Sequence, residues 1–85
     1  MSTIVKDAIK SAAEGFAVSP EDFENLKIKD SISSKNDWNE FNHRLCNKLK
    51  EHGCTTMEDQ LDQFWENNKT FDEMIKYIDE DCGLS

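Results

Sequence analysis

Five side chains of this sequence could ligate a metal through sulfur or imidazole nitrogen: His43, Cys46, His52, Cys54 and Cys82. Zinc sites usually combine Cys-x-x-Cys pairs with His residues at helical spacing, and the sequence has neither pattern. The pair His43 and Cys46 has helical spacing, but a buried thiol beside a surface imidazole explains it more simply. We therefore predict no metal site. The cysteines, odd in number and irregularly spaced, are interpreted as reduced thiols.

The sequence contains no motif that indicates catalysis. A Cys–His nucleophile pair needs a positioned base, an orienting third group and an oxyanion pocket, and no motif supplies them. The three glycines are spread along the chain and form no phosphate-binding loop. The acidic run Asp79, Glu80 and Asp81 stands where a helix is expected to end, and such runs usually face solvent. We predict that the protein is not an enzyme.

The balance of charge points to protein partners. Eighteen acidic residues against ten basic ones give a formal net charge of −8. This charge attracts basic partners, whereas nucleic-acid binding needs clustered Lys and Arg, which are scattered here from Lys6 to Lys76. No apolar run approaches the ~20 residues of a membrane span, and the N-terminus lacks a signal-peptide pattern. We expect a cytoplasmic protein that binds basic protein surfaces, without direct nucleic-acid contact or a membrane span.

Apolar periodicity predicts an all-α fold in which all 85 residues form one domain. One apolar stripe predicts a first helix over roughly 3–16. The residues 19–22, Ser-Pro-Glu-Asp, are typical of a short helical turn. A long connection over 24–36 follows, in which Ile28 and Ile32 are expected to hold the chain against the core.

Two further stripes follow this connection. The strongest predicted helix begins near Asp37, which would be its N-cap, and ends before Gly53. A third helix is predicted over about 56–67, with Thr55 or Thr56 as its cap. Its apolar side is expected to consist of Met57, Leu61, Phe64 and Trp65.

The last helix has the clearest start signal in the sequence. Thr70 and Glu73 form a capping box, and the helix is expected to end near Gly83. Trp38 and Trp65 lie on inward stripes, so core packing is the preferred interpretation over partner recognition. The predicted fold is a small bundle of three main helices plus a short helix and a long structured loop.

Several short motifs in this order of elements resemble those of an acyl carrier protein. The start, Met-Ser-Thr-Ile at 1–4, is similar to the start of that family. So is the stripe that ends in Val18 and continues as Ser-Pro-Glu-Asp-Phe. The sequence at 69–78, Lys-Thr-Phe-Asp-Glu-Met-Ile-Lys-Tyr-Ile, resembles the family's final helix. The resemblance spans nearly the whole chain, through short and degenerate motifs.

The resemblance implies a serine that carries 4′-phosphopantetheine at the start of the second helix, within an Asp-Ser-Leu motif. A helix N-terminus suits a phosphate because its free N–H groups and dipole attract negative charge. Asp-Ser-Ile at 30–32 matches the motif in letters and makes Ser31 the candidate. Counting from Val18 instead places Asp37 at the serine position, where no modification is possible. Ser31 also has an ordinary structural explanation as the cap of a turn.

The resemblance further implies a docking surface and an acyl pocket. Acidic residues of the second helix would face basic patches on synthases or transferases: Asp37, Glu40 and Glu51. Apolar residues of three helices would line the acyl pocket: Phe41, Leu45, Met57 and Ile75. The charge agrees equally well with an alternative, a small acidic inhibitor or immunity protein that blocks a basic nucleic-acid-binding or nuclease partner.

Overall fold

The computed structural model describes residues 3–16 and 23–83, and these contain helices and turns but no β-strand. In chain order the elements are α1 (Thr3–Ala12), a 3-10 turn (Phe23–Asn25), α2 (Ile28–Ser31), α3 (Lys35–Glu51), α4 (Glu58–Glu66) and α5 (Phe71–Cys82). The prediction of an all-α fold is confirmed. The turn predicted over 19–22 and the stripe end at Val18 lie outside the described residues.

The first helix is shorter than predicted. It ends at Ala12, and the chain then turns through Gly15, whose φ of 90° is unfavourable for a residue with a side chain. The carbonyl of Glu14 accepts a hydrogen bond of 3.0 Å from Arg44 Nη1 on α3. Since Ile9 is fully buried, α1 packs its apolar stripe against the core while its exit is tied to α3.

The connection between α1 and α3 is more regular than predicted, because it contains the 3-10 turn and α2. Ile28 and Ile32 are both buried, which confirms that they hold this segment against the core. The segment is also tied to the start of α5. The N–H of Ile28 donates to the carbonyl of Lys69 at 2.9 Å, and the N–H of Phe71 donates to the carbonyl of Leu26 at 3.1 Å.

The long helix α3 begins at Lys35, earlier than predicted, and the N-cap is Ser34. Asp37 is therefore not the cap, and that prediction is wrong. Instead its backbone N–H donates to Ser34 Oγ at 3.5 Å, so Asp37 occupies the first turn. At the other end, Gly53 has a φ of 81° just after the helix, which confirms the predicted stop.

The two C-terminal helices begin in different ways. Thr56 does not cap α4, because it is buried and its hydroxyl donates to Asp81 Oδ2 at 2.8 Å. The side chain of Gln60 instead accepts the Met57 N–H at 2.7 Å. The capping box predicted for α5 is confirmed, and Gly83 ends that helix in the left-handed conformation.

The two tryptophans join α3 to α4. Trp38 is fully buried, and its Nε1–H donates to Asp62 Oδ1 at 2.8 Å. Trp65 is partly buried, and its Nε1–H donates to the carbonyl of Ile32 at 2.7 Å. Their rings stack with centroids 6.4 Å apart, so core packing is confirmed for both. Within the described residues, no helix combines the length and apolarity needed to cross a bilayer.

Candidate protein-docking surface

Ser31 does not stand at a helix N-terminus. It is the last residue of the four-residue helix α2, and it is partly buried. The next residue, Ile32, donates its N–H to the carbonyl of Ile28 at 2.8 Å, so the helix ends here. The N-terminal turn of α3 is reached only at Ser34, an exposed serine that sequence reasoning did not single out. The phosphate-stabilising geometry that the resemblance implies is therefore absent at Ser31 in this structure.

The acids predicted for docking share one side of α3, but that side is not acidic. Helical spacing places two basic residues between them. Arg44 Nη2 lies 3.4 Å from Glu40 Oε2, and Lys48 Nζ lies 3.7 Å from Glu51 Oε2. Over its whole length α3 contains three acidic and four basic residues, so its formal charge is +1. Of the three predicted docking acids, only Asp37 lacks an ion pair with a described residue.

The negative charge of the chain is concentrated on α4 and α5. Helix α4 has four acidic residues and no basic one, and α5 has five acidic residues and one lysine. Each helix therefore has a formal charge of −4, and the two together equal the −8 of the whole chain. The remaining nine acidic residues are balanced by nine basic ones. This concentration was readable from the sequence by counting charges helix by helix.

Several of these acids are already engaged within the fold. Asp62 accepts from Trp38, and Glu66 Oε1 lies 3.5 Å from Lys35 Nζ. Glu73 accepts from the backbone N–H of Thr70 at 3.3 Å, and this hydrogen bond lowers the pKa of Glu73 below its ordinary value. The charge of these acids is partly compensated within the fold, so they are less available to a partner.

Three other acids of these helices are exposed. Asp59 lies in the first turn of α4, while Glu80 and Asp81 lie in the last turn of α5. None of the three forms an ion pair within the described part of the chain. Asp81 accepts the hydroxyl of Thr56, which holds the end of α5 beside the start of α4. The available negative charge is therefore gathered where α4 begins and α5 ends.

Apolar surface borders these acids. Met57, directly before α4, is 60% exposed. The partly buried rings of Phe64 and Tyr77 lie with centroids 5.2 Å apart, and Gln60 Nε2 donates to the Tyr77 hydroxyl at 3.0 Å. We call this surface the α4–α5 face, and define it by Met57, Asp59, Phe64, Tyr77, Glu80 and Asp81.

Three of the four residues predicted for an acyl pocket lie in the core, and the fourth does not. Phe41, Leu45 and Ile75 are fully buried in the core, whereas Met57 is on the surface, so the prediction that it belongs to the apolar side of its helix is wrong. The ring of Phe41 packs against three other aromatic rings, those of Phe16, Trp38 and Phe71. An acyl chain entering here would have to displace these contacts.

The cysteines differ from the prediction of three reduced thiols. Cys54 and Cys82 are joined by a disulfide, with their Cα atoms 5.2 Å apart. Cys46 is free and buried beside Asn42, and burial raises the pKa of its thiol to about 11. The Nδ1 atom of His43 lies 3.3 Å from Oε2 of Glu58. No group of three or more potential metal-ligating residues occurs among the described residues.

Comparison with known proteins does not assign the chain to a family. No protein-family model matches it, and neither a curated protein nor a solved structure matches it.

Proposed function

We propose that this protein is a helical docking module that binds a basic protein surface through the α4–α5 face. The observation that carries the proposal is the concentration of the whole net charge on α4 and α5. A face of one sign attracts an oppositely charged partner over a distance of about one Debye length, and it also orients the encounter. A uniformly acidic molecule would attract basic partners without selecting a side.

The apolar residues of the face add short-range contacts to the long-range attraction of its charge. Protein interfaces usually place aromatic and Met side chains at the centre and polar residues at the rim. Tyr77 is held by Gln60 and packs on Phe64, so its ring is ordered before binding. The exposed Met57 is flexible and can adapt to a partner's surface. This combination favours a basic partner segment that also presents apolar side chains.

The proposal is tested with a synthetic amphipathic helix of Lys and Leu, titrated into the isotope-labelled protein and followed by NMR and calorimetry. Two matched double variants are compared, Asp59→Asn/Glu80→Gln on the face and Asp37→Asn/Glu40→Gln on α3. Both remove two negative charges, so long-range attraction weakens equally in each. We expect the face variant to lose about tenfold in affinity and the α3 variant less than about threefold.

The shifts in the NMR spectrum provide a second readout. Binding at the face moves the signals of Met57, Phe64 and Tyr77 first. Equal losses of affinity in the two variants, or shifts centred on α3, would contradict the proposal. Raising the salt concentration should weaken binding in the wild type more than in the face variant, because fewer charge contacts remain there.

The two classes of partner considered from the sequence differ in how they would bind. A carrier-like module would bind several synthases or transferases weakly and in turn. An inhibitor or immunity protein would bind one basic nuclease or nucleic-acid-binding protein tightly and saturably. Dissociation rates measured against purified candidates of both classes distinguish these two functions. In both, the α4–α5 face is the proposed contact.

A second candidate function, carriage of an acyl group on 4′-phosphopantetheine, has one observation in its favour. The order of α1, a long connection, the long α3, the shorter α4 and α5 agrees with the order that the resemblance to acyl carrier proteins implies. The test is intact mass after incubation with coenzyme A and a broad-specificity phosphopantetheinyl transferase, with Ser31→Ala alongside. A single adduct that Ser31→Ala abolishes would establish the carrier, and an unchanged mass in folded protein would reject it.

A further inference from the structure

The disulfide links two segments that local structure alone would leave loosely attached. Cys54 lies in the turn after α3, and Cys82 is the last residue of α5. They are 28 residues apart in sequence, so α4 and most of α5 lie within the loop that the bond closes. The bond therefore fastens the end of the chain's last helix to the turn that leads into α4.

The last turn of α5 needs such an attachment. It contains Asp79, Glu80 and Asp81 and no basic residue. Negative charge at a helix C-terminus opposes the helix dipole, and neighbouring acids also repel one another. Two contacts tie this turn to the segment that leads into α4: the Thr56–Asp81 hydrogen bond and the Cys54–Cys82 disulfide.

The surroundings of the two sulfur atoms accommodate the reduced pair as well. Thr56 Oγ1 lies 3.2 Å from Cys54 Sγ and 3.0 Å from Cys82 Sγ. Because its own proton is donated to Asp81, the hydroxyl oxygen is available to accept from either thiol. Both states of the pair therefore have polar partners in the folded protein.

The two sulfurs differ in access. Cys54 is 1% exposed, whereas Cys82 is partly exposed at the end of its helix. A disulfide in solution can approach Cys82 from outside, and Cys54 is reached only from Cys82. This asymmetry separates an attacking thiol from a resolving thiol.

We propose that Cys54 and Cys82 form a reversible thiol–disulfide site, in which Cys82 exchanges with small disulfides, Cys54 resolves the mixed disulfide, and the oxidation state controls the order of the last turn of α5. The oxidant is a low-molecular-weight disulfide such as oxidised glutathione. The Cys82 thiolate attacks one of its sulfurs and releases one glutathione thiolate. The Cys54 thiolate then attacks Cys82 and releases the second. Two protons leave the protein, and two glutathione molecules carry the two electrons.

The chemistry is tested by intact mass on the reduced, folded protein after addition of oxidised glutathione. We expect the wild type to lose two hydrogens without a lasting adduct. Cys54→Ser should retain one glutathione, because nothing resolves the adduct, and Cys82→Ser should react at least about tenfold more slowly. Cys46→Ser is the matched control and should behave as the wild type, since Cys46 is buried. Equal rates in the first two variants, or no disulfide in the wild type, would overturn the assignment.

The structural consequence is tested by amide hydrogen exchange on the oxidised and reduced wild type. We expect exchange at residues 80–83 to accelerate about tenfold on reduction, with the middle of α3 much less affected. The thermal midpoint should also fall by about 10 °C. Unchanged exchange at 80–83 would show that the bond does not control this turn. Because neither readout involves a partner, both are independent of the proposed docking.

Discussion

The helix α3 and the pair α4–α5 both contain clusters of acidic residues, but only the pair forms an acidic surface. In α3, Glu40 and Glu51 each have a basic neighbour one helical turn away, and the helix as a whole is slightly basic. Helices α4 and α5 contain nine acidic residues and one basic residue, Lys76, although Lys35 and Lys69 from outside them pair with Glu66 and Glu73. Acidic residues on one side of a helix therefore predict a docking surface only when the basic residues within one turn are counted as well.

The two regions also differ in the side chains that they present to the core and to solvent. Helix α3 supplies fully buried side chains, among them Trp38, Phe41 and Leu45, and its outer side is nearly neutral. Helix α4 packs on it, and α5 packs on α1 and α4, while both present charge and partly exposed aromatic rings to solvent. Helix α5 also contributes four fully buried apolar side chains, those of Phe71, Met74, Ile75 and Ile78. We infer that α3 acts mainly in stability, whereas α4–α5 acts in both stability and recognition. Four substitutions test this division, in decreasing order of expected effect on stability.

The largest effect is expected for Trp38→Ala. The substitution removes a fully buried ring and the hydrogen bond to Asp62, so the free energy of unfolding should fall by about 3–5 kcal/mol. Urea denaturation followed by circular dichroism measures it. Trp65→Ala is the matched control on α4 and should cost less, because that ring is only partly buried. An equal or larger loss for Trp65→Ala would contradict the assignment of stability to α3.

The substitution Cys82→Ser should have the next largest effect. It removes the disulfide and with it the restriction on the unfolded chain, so we expect a loss of about 2–4 kcal/mol under oxidising conditions. Denaturant unfolding with and without a reducing agent measures the difference. Under reducing conditions the variant and the wild type should be nearly equal. A large difference that persists there would mean that the side chain stabilises the fold by packing and not by the bond.

Thr70→Ala tests the N-terminus of α5, where the capping box stabilises the helix. Loss of the cap should cost about 1 kcal/mol of unfolding free energy. The pKa of Glu73 should rise only in part, because the Thr70 hydroxyl no longer donates to its carboxylate but the Thr70 backbone N–H, the larger cause of the lowered pKa, still does. Because the folded pKa is lowered, the contribution of Glu73 is present above its ordinary value of 4.5 and is lost as the pH falls through the folded value. An NMR titration of the Glu73 carboxyl measures the change. Thr70→Ser keeps the hydroxyl and should leave this pKa lowered.

The smallest effect on stability is expected for Glu80→Lys, and its sign is opposite. A positive charge in the last turn of α5 complements the helix dipole but is repelled by Lys76 one turn earlier, so the protein should gain no more than about 0.5 kcal/mol. Affinity for the Lys–Leu peptide should fall in the same variant, because the face loses negative charge. Glu40→Lys, which breaks the pair with Arg44, is the control and should not gain stability. If Glu80→Lys binds the peptide as well as the wild type, the α4–α5 face is not the binding site.

Local sequence signals predicted much of the fold. The capping box of α5, the stop at Gly53 and the burial of Ile28 and Ile32 follow from residues close together in the chain, and all are confirmed. The bounds of α1 and α3 were less accurate. At α3 the sequence contains two residues suited to cap the helix, Ser34 and Asp37, and propensity alone does not choose between them.

The candidate site was predicted less well than the fold. Met57 lies at an apolar position of the expected stripe, but α4 begins only after it, so its side chain is exposed. The docking acids were assigned to α3 through the resemblance to acyl carrier proteins. The charge concentrated on α4 and α5 was present in the sequence, and a count for each helix would have revealed it.

The sequence by itself determined the helical class, the start of α5 and the −8 charge with its uneven distribution, because each depends on composition or on neighbours within one turn. Only the tertiary structure decided which acids remain available and which cysteines meet. Cys54 and Cys82 approach because α4 packs on α3 and α5 packs on α4, and Asp62 is engaged because it accepts a hydrogen bond from Trp38. Such contacts join residues far apart in the chain, and their formation depends on how the helices pack.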